Sequence, residues 1–152
     1  MLPKQHIIIG FIVSLLLFIC FPEITLLYTI IIFLSSVLID FDHYLYYVIK
    51  KKDMHLGRAY KWWLGRRVAY THMSKVERDS YKKVLMIFHG IEFWIILLLL
   101  VFINKIFLFV LIGISIHMIL DFIDLFIRKD SFYIKISQIY THLKNRNKKE
   151  LS

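Results

Sequence analysis

Histidine and carboxylate side chains stand inside or at the edges of long apolar runs: His6, Asp40, Asp42, His43, His89, Glu92, His117 and Asp121. Ionisable groups are costly in such surroundings and usually mark function. Imidazole and carboxylate together suit a divalent ion such as zinc, iron, manganese or nickel. The single cysteine, Cys20, offers no thiolate cluster to select a softer ion. Asp40-x-x-His43, His89-x-x-Glu92 and His117-x-x-x-Asp121 are spacings that bring two donors to one ion from one helix face. His6, Asp40, His43, His89, His117 and Asp121 exceed what one tetrahedral ion needs, so one or two ions are expected, with zinc the leading candidate. Glu92 and Asp121 are the candidate proton-handling groups.

The elements that must carry these groups are helical. Of 152 residues, 59% are hydrophobic, and the mean hydropathy of +0.64 is too high for an ordinary soluble domain. Residues 84–103 and 106–127 are each long enough to cross a bilayer. Residues 7–21 and 24–39 are shorter and separated by Pro22 and Glu23, as in a helical hairpin, and the second run continues through Tyr44 to Ile49. The expected architecture is all-α, a four-transmembrane-helix bundle in one domain. Its helices fall at about 5–21, 24–50, 84–103 and 106–127, with a basic interfacial loop at 51–83 and an amphipathic tail at 131–145. The first run has no small-x-small cleavage site and reads as a retained anchor, not a cleaved leader.

Depth and facing agree. At 1.5 Å per residue from each outer end, His6, Asp40, His89 and Asp121 all lie roughly 21–24 Å in. His6, Gly10 and Ser14 share one stripe, as do Ser36, Asp40, His43 and Tyr47, and Gly113, His117, Asp121 and Asp124. Small residues beside the polar ones let helices approach closely, so the stripes are expected to face one another around a polar pocket.

Of the 20 Lys and Arg residues, only Lys105 falls on the side away from the termini. Positive loops stay inside, so both termini are expected in the cytoplasm, with the chain integral to the cell (inner, cytoplasmic) membrane. The net charge of +9 then reflects topology and contact with anionic membrane lipids. No basic motif of a nucleic-acid reader is present, and nucleic acid is not expected as a partner. Tyr60, Trp62, Trp63 and Tyr70 interleave with Lys and Arg across 51–83, as in a segment lying among headgroups.

Gln5-His6, Ile39-Asp40-Phe41-Asp42-His43 and Gly113-x-x-x-His117-x-x-x-Asp121, in this order, resemble the membrane-bound metal-dependent hydrolases of the YdjM type. That family is distantly similar to the zinc phospholipase C and P1-nuclease group. The resemblance implies a helical protein that cleaves phosphate esters on a metal cluster held by His6, Asp40, His43, His117 and Asp121. Asp42 would be a ligand or an orienting group. The third helix departs from the family pattern: Ile87-Phe88-His89-Gly90-Ile91-Glu92 stands where such proteins have Arg-Gly-x-Thr-His-Ser. His89 would replace the family's histidine there.

The function expected from these residues is a metal-dependent hydrolase acting on a phosphate ester or lipid-like substrate near the headgroups. Arg58, Arg66 and Arg67 are the candidates to hold its phosphate. Two other classes fit the same residues. The buried acids and histidines could pass protons or metal ions, or they could only hold together a small accessory subunit.

Overall fold

The computed structural model describes residues 3–150, and these are 74% helical with no strand. The elements are α1 (Pro3–Cys20), α2 (Leu26–Leu38), α3 (Phe41–Lys51), α4 (Leu56–His72), α5 (Lys75–Ser80), α6 (Ile91–Val101), α7 (Ile106–Ile127), α8 (Tyr133–Ile136) and α9 (Gln138–Lys144). Three spans are long and apolar enough to cross a membrane: α1, the 26-residue run through α2 and α3, and α7.

These spans are apolar outside and polar within. On α1 only His6, Gly10 and Ser14 are buried, while Ile8, Phe11, Ile12 and Leu16 are exposed. A helix that hides its polar stripe and presents isoleucine and phenylalanine outward suits lipid as its solvent. Small residues bring α2 and α7 together. A Cβ on Gly113 would run into the Ile32 carbonyl and the Ser35 hydroxyl, and one on Gly10 would meet the Ser36 hydroxyl. Ile39, Leu97, Leu111, Ile114 and Met118 form an apolar core between α6, α7 and the end of α2.

The second expected helix is interrupted. After Leu38 the hydrogen bonds tighten by one residue, with Asp40 N donating to Val37 O and His43 N to Asp40 O, before α3 resumes at Phe41. This turn carries the first acidic donor of the polar cluster.

Three further expectations are corrected. The third helix begins at Ile91, not near 84, and its 11 residues reach roughly 16 Å, about half a bilayer core. The backbone before it is claimed by distant side chains. Lys83 N donates to Asn145 Oδ1, Met86 N to Gln138 Oε1 and Phe88 N to Asp42 Oδ2. With its donors satisfied from outside, the segment has no need of helical bonds. The 51–83 region is also mostly helix. The His55 ring accepts from Arg58 N at the start of α4, and Ser74 and Glu77 make a reciprocal capping box at the start of α5. The tail is two short helices rather than one, docked onto the 83–92 segment.

Candidate metal centre

Four donors converge on one point. His117 Nε2 lies 3.1 Å from His89 Nε2, 3.5 Å from Asp40 Oδ1 and 3.4 Å from Asp121 Oδ2. His89 Nε2 lies 3.6 Å from each of those oxygens. A tetrahedral zinc with donors about 2.0–2.1 Å away has donor–donor edges of roughly 3.3–3.4 Å. The five separations among these donors that involve a histidine, 3.1–3.6 Å, bracket that value.

Proton placement sharpens the point. His117 Nδ1 is 2.9 Å from the Ser36 carbonyl oxygen, an acceptor only, so Nδ1 carries the proton and donates. His89 Nδ1 likewise donates to Asp42 Oδ2 at 2.9 Å. In the neutral rings both Nε2 atoms then present lone pairs to each other and to two carboxylate oxygens. Both imidazoles are fully buried, at 0% exposure. Such a cluster of acceptors suits a cation at its centre, and hydrogen-bonded imidazole is the usual way to aim such ligands.

The other expected residues surround this set. His6 stacks on His117 with ring centroids 3.9 Å apart, and its Nε2 is 3.5 Å from Asp121 Oδ1. Its Nδ1 is buried without a hydrogen-bond partner. His43 Nδ1 is 3.0 Å from Asp42 Oδ1 and 3.3 Å from Asp40 Oδ1, and its carbonyl accepts from Trp63 Nε1. Asp42 therefore braces two rings, which makes it an orienting group rather than a donor to the shared point. The triads His6–Asp40–His117, Asp40–His43–His89 and His89–His117–Asp121 each have ligand atoms close enough to share an ion.

Glu92 is not brought into the cluster. Its carboxylate accepts from Ser137 Oγ and from the backbone N–H groups of Gln138 and Ile139, capping α9. Arg58 is held by Asp53 in a two-pronged pair, both contacts 2.7 Å, and does not line the cavity beside the cluster. The Arg58 guanidinium in turn holds the Asp53 carboxyl well below the usual carboxylate range. Arg66 and Arg67 do line that cavity; Arg67 pairs with Asp124 at 3.2 Å. Asp124 also meets Arg128 at 2.7 Å, and His55, His72 and His142 are exposed.

Two positions escaped the sequence reading. Lys135, on α8, puts Nζ 2.7 Å from Asp121 Oδ2. Gln138 donates from Nε2 to the His89 carbonyl, fixing the one donor of the four that lies outside the three membrane-length runs. Both sit in a stretch whose only sequence signal is amphipathic spacing, which gives no hint of either contact. The chain matches no family model, no curated protein and no solved structure.

Proposed function

We propose that this chain is a divalent-metal-dependent hydrolase of the membrane, acting on a phosphate ester near the cytoplasmic headgroup layer. The observation that carries the reading is the convergence of His89 Nε2, His117 Nε2, Asp40 Oδ1 and Asp121 Oδ2, with the Nδ1 atoms of both rings already committed. The order of these residues, and its resemblance to the YdjM-type hydrolases, supports the same class. In this reading α6 is a fourth, shorter member of the bundle, and the basic α4, α5 and tail lie on the cytoplasmic side with both termini.

A bound ion, zinc by its donor set, would lower the pKa of a coordinated water and polarise a phosphoryl oxygen. His89, His117, Asp40 and Asp121 hold it; Asp42 and the Ser36 carbonyl keep the rings aimed. His43 lines the cavity and leans its Nδ1–H on buried Asp42, leaving Nε2 as its basic nitrogen. His43 takes the proton from the attacking water as its oxygen bonds to phosphorus. The ester P–O bond breaks, and His43 returns the proton to the leaving oxygen.

Metal analysis of the protein purified in neutral detergent tests this. We expect about one divalent ion per chain, lost when His117 and Asp121 are both replaced by alanine. A wild-type protein without bound metal, or a double variant that keeps it, overturns the reading.

A further inference from the structure

A cavity of about 870 Å³ opens beside the cluster, and its lining divides by chemistry. Arg66, Arg67, Lys82, Lys83, Arg128 and Lys135 line it together with the carboxylates of Asp40, Asp121, Asp124 and Asp130, and Lys82 and Lys83 are also paired with Glu150 and Asp79 outside the lining, so six cations meet six carboxylates. Leu38, Phe41, Leu56 and Leu64 also line it while remaining 41–69% exposed. Leu38 and Phe41 belong to a run long and apolar enough to span a membrane, which suits them to contact with a lipid chain.

Charge neutrality narrows what fits. Asp121 Oδ2 is shared between the converging donors and Lys135 Nζ, which is 2.7 Å away with a side chain only 13% exposed. Without an ion, Lys135 is the counter-charge of Asp121. With a divalent ion on Asp40 and Asp121, those two carboxylates are spent on the ion, and the sheltered Lys135 ammonium needs another anion. A buried ammonium left without one is strongly disfavoured. The ion adds two positive charges to a lining whose cations and carboxylates otherwise balance, and a dianion matches them better than a monoanion.

Resting on the hydrolase reading above, we propose that the substrate is a long-chain lipid ending in a phosphate monoester. Its dianionic phosphate contacts Lys135 and its chain runs over Leu38, Phe41, Leu56 and Leu64. Lys135 is a specificity-determining residue that separates a terminal phosphate from the singly charged phosphate of a diester. Phosphate and metal binding are coupled: each strengthens the other, because the ion frees Lys135 from Asp121.

The test measures binding to the zinc-loaded protein in neutral detergent by ³¹P NMR titration, with empty micelles as the reference. The probes are octyl phosphate, octyl methyl phosphate and inorganic phosphate. We expect octyl phosphate to bind about tenfold or more tighter than either other probe, and to lose that margin when zinc is chelated. Lys135→Met should bring octyl phosphate and its methyl ester within about twofold of each other, while Lys135→Arg keeps most of the preference. Equal binding of monoester and diester, or an unchanged preference in Lys135→Met, overturns the terminal-phosphate assignment. Inorganic phosphate binding as tightly as octyl phosphate overturns the lipid assignment. In both cases bound zinc shows that the metal reading survives, whereas a protein that binds no zinc removes both.

Discussion

His89 and His117 hold their Nε2 atoms 3.1 Å apart while each commits its Nδ1 elsewhere, His89 to Asp42 and His117 to the Ser36 carbonyl. Because Asp42 braces His89 and His43 without facing the shared point, its removal should loosen the metal rather than abolish the site. Asp42→Ala is expected to weaken zinc binding about 10–100-fold in a chelator-competition titration. His117→Ala should lose high-affinity binding altogether. Equal losses in the two variants would make Asp42 a direct ligand.

Metal binding to the folded chain alone must also raise its stability. At a free zinc concentration one hundred times the dissociation constant, linkage contributes about 2.7 kcal/mol. Adding a strong chelator should therefore lower the melting temperature of the wild type and leave the His117→Ala, Asp121→Ala double variant unmoved. A chelator that shifts both alike acts elsewhere on the protein.

His43 separates chemistry from metal retention. It lies outside the four converging donors yet lines the cavity. His43→Gln is expected to keep near-normal zinc content and to slow phosphate-ester turnover about 10²–10⁴-fold. Loss of zinc in this variant would assign His43 to the metal instead.

Glycine positions test the close approach of α2 and α7. Gly113→Ala drives a methyl group into backbone and should cost about 1–3 kcal/mol in detergent unfolding. Gly65, inside α4, has nothing within 4 Å of an added Cβ, so Gly65→Ala should be neutral or stabilising by up to about 1 kcal/mol. The idea of close α2–α7 contact fails if the two substitutions behave alike.

Glu92 stands three residues after His89, a spacing that on a helix would put both on one face. The structure gives it three hydrogen bonds to the start of α9. Glu92→Gln should therefore lower stability by about 1–3 kcal/mol while zinc content stays intact. A variant of full stability with turnover lost would return Glu92 to the chemistry.

Much of the bundle can be read from one stretch of chain at a time. Gly113, His117, Asp121 and Asp124 announce a buried stripe through helical spacing alone, and His6, Gly10 and Ser14 do the same. Residues 84–90 look like the first turns of a helix because Val84, Leu85, Met86, Ile87 and Phe88 are apolar. What stops the helix is three side chains about 46–62 residues away in sequence, which take the backbone donors. No local pattern encodes that. The α5 boundary was local and still overlooked: Ser74-x-x-Glu77 has capping-box spacing, hidden in a region that reads as uniformly basic. Lys135 was not legible because its meaning depends on Asp121, reached only once the tail folds back.

That folding back sets an order of assembly. His6, Asp40, His117 and Asp121 ride on spans that can form as each enters the bilayer, but His89 stands on irregular backbone whose anchors, Gln138 and the α9 turn capped by Glu92, are synthesised after every span. Until the ribosome has delivered them, a nascent chain has three of the four converging donors in place and no clamp on the fourth. The four-donor arrangement is thereby completed only once the 133–144 segment has folded back onto residues 83–92.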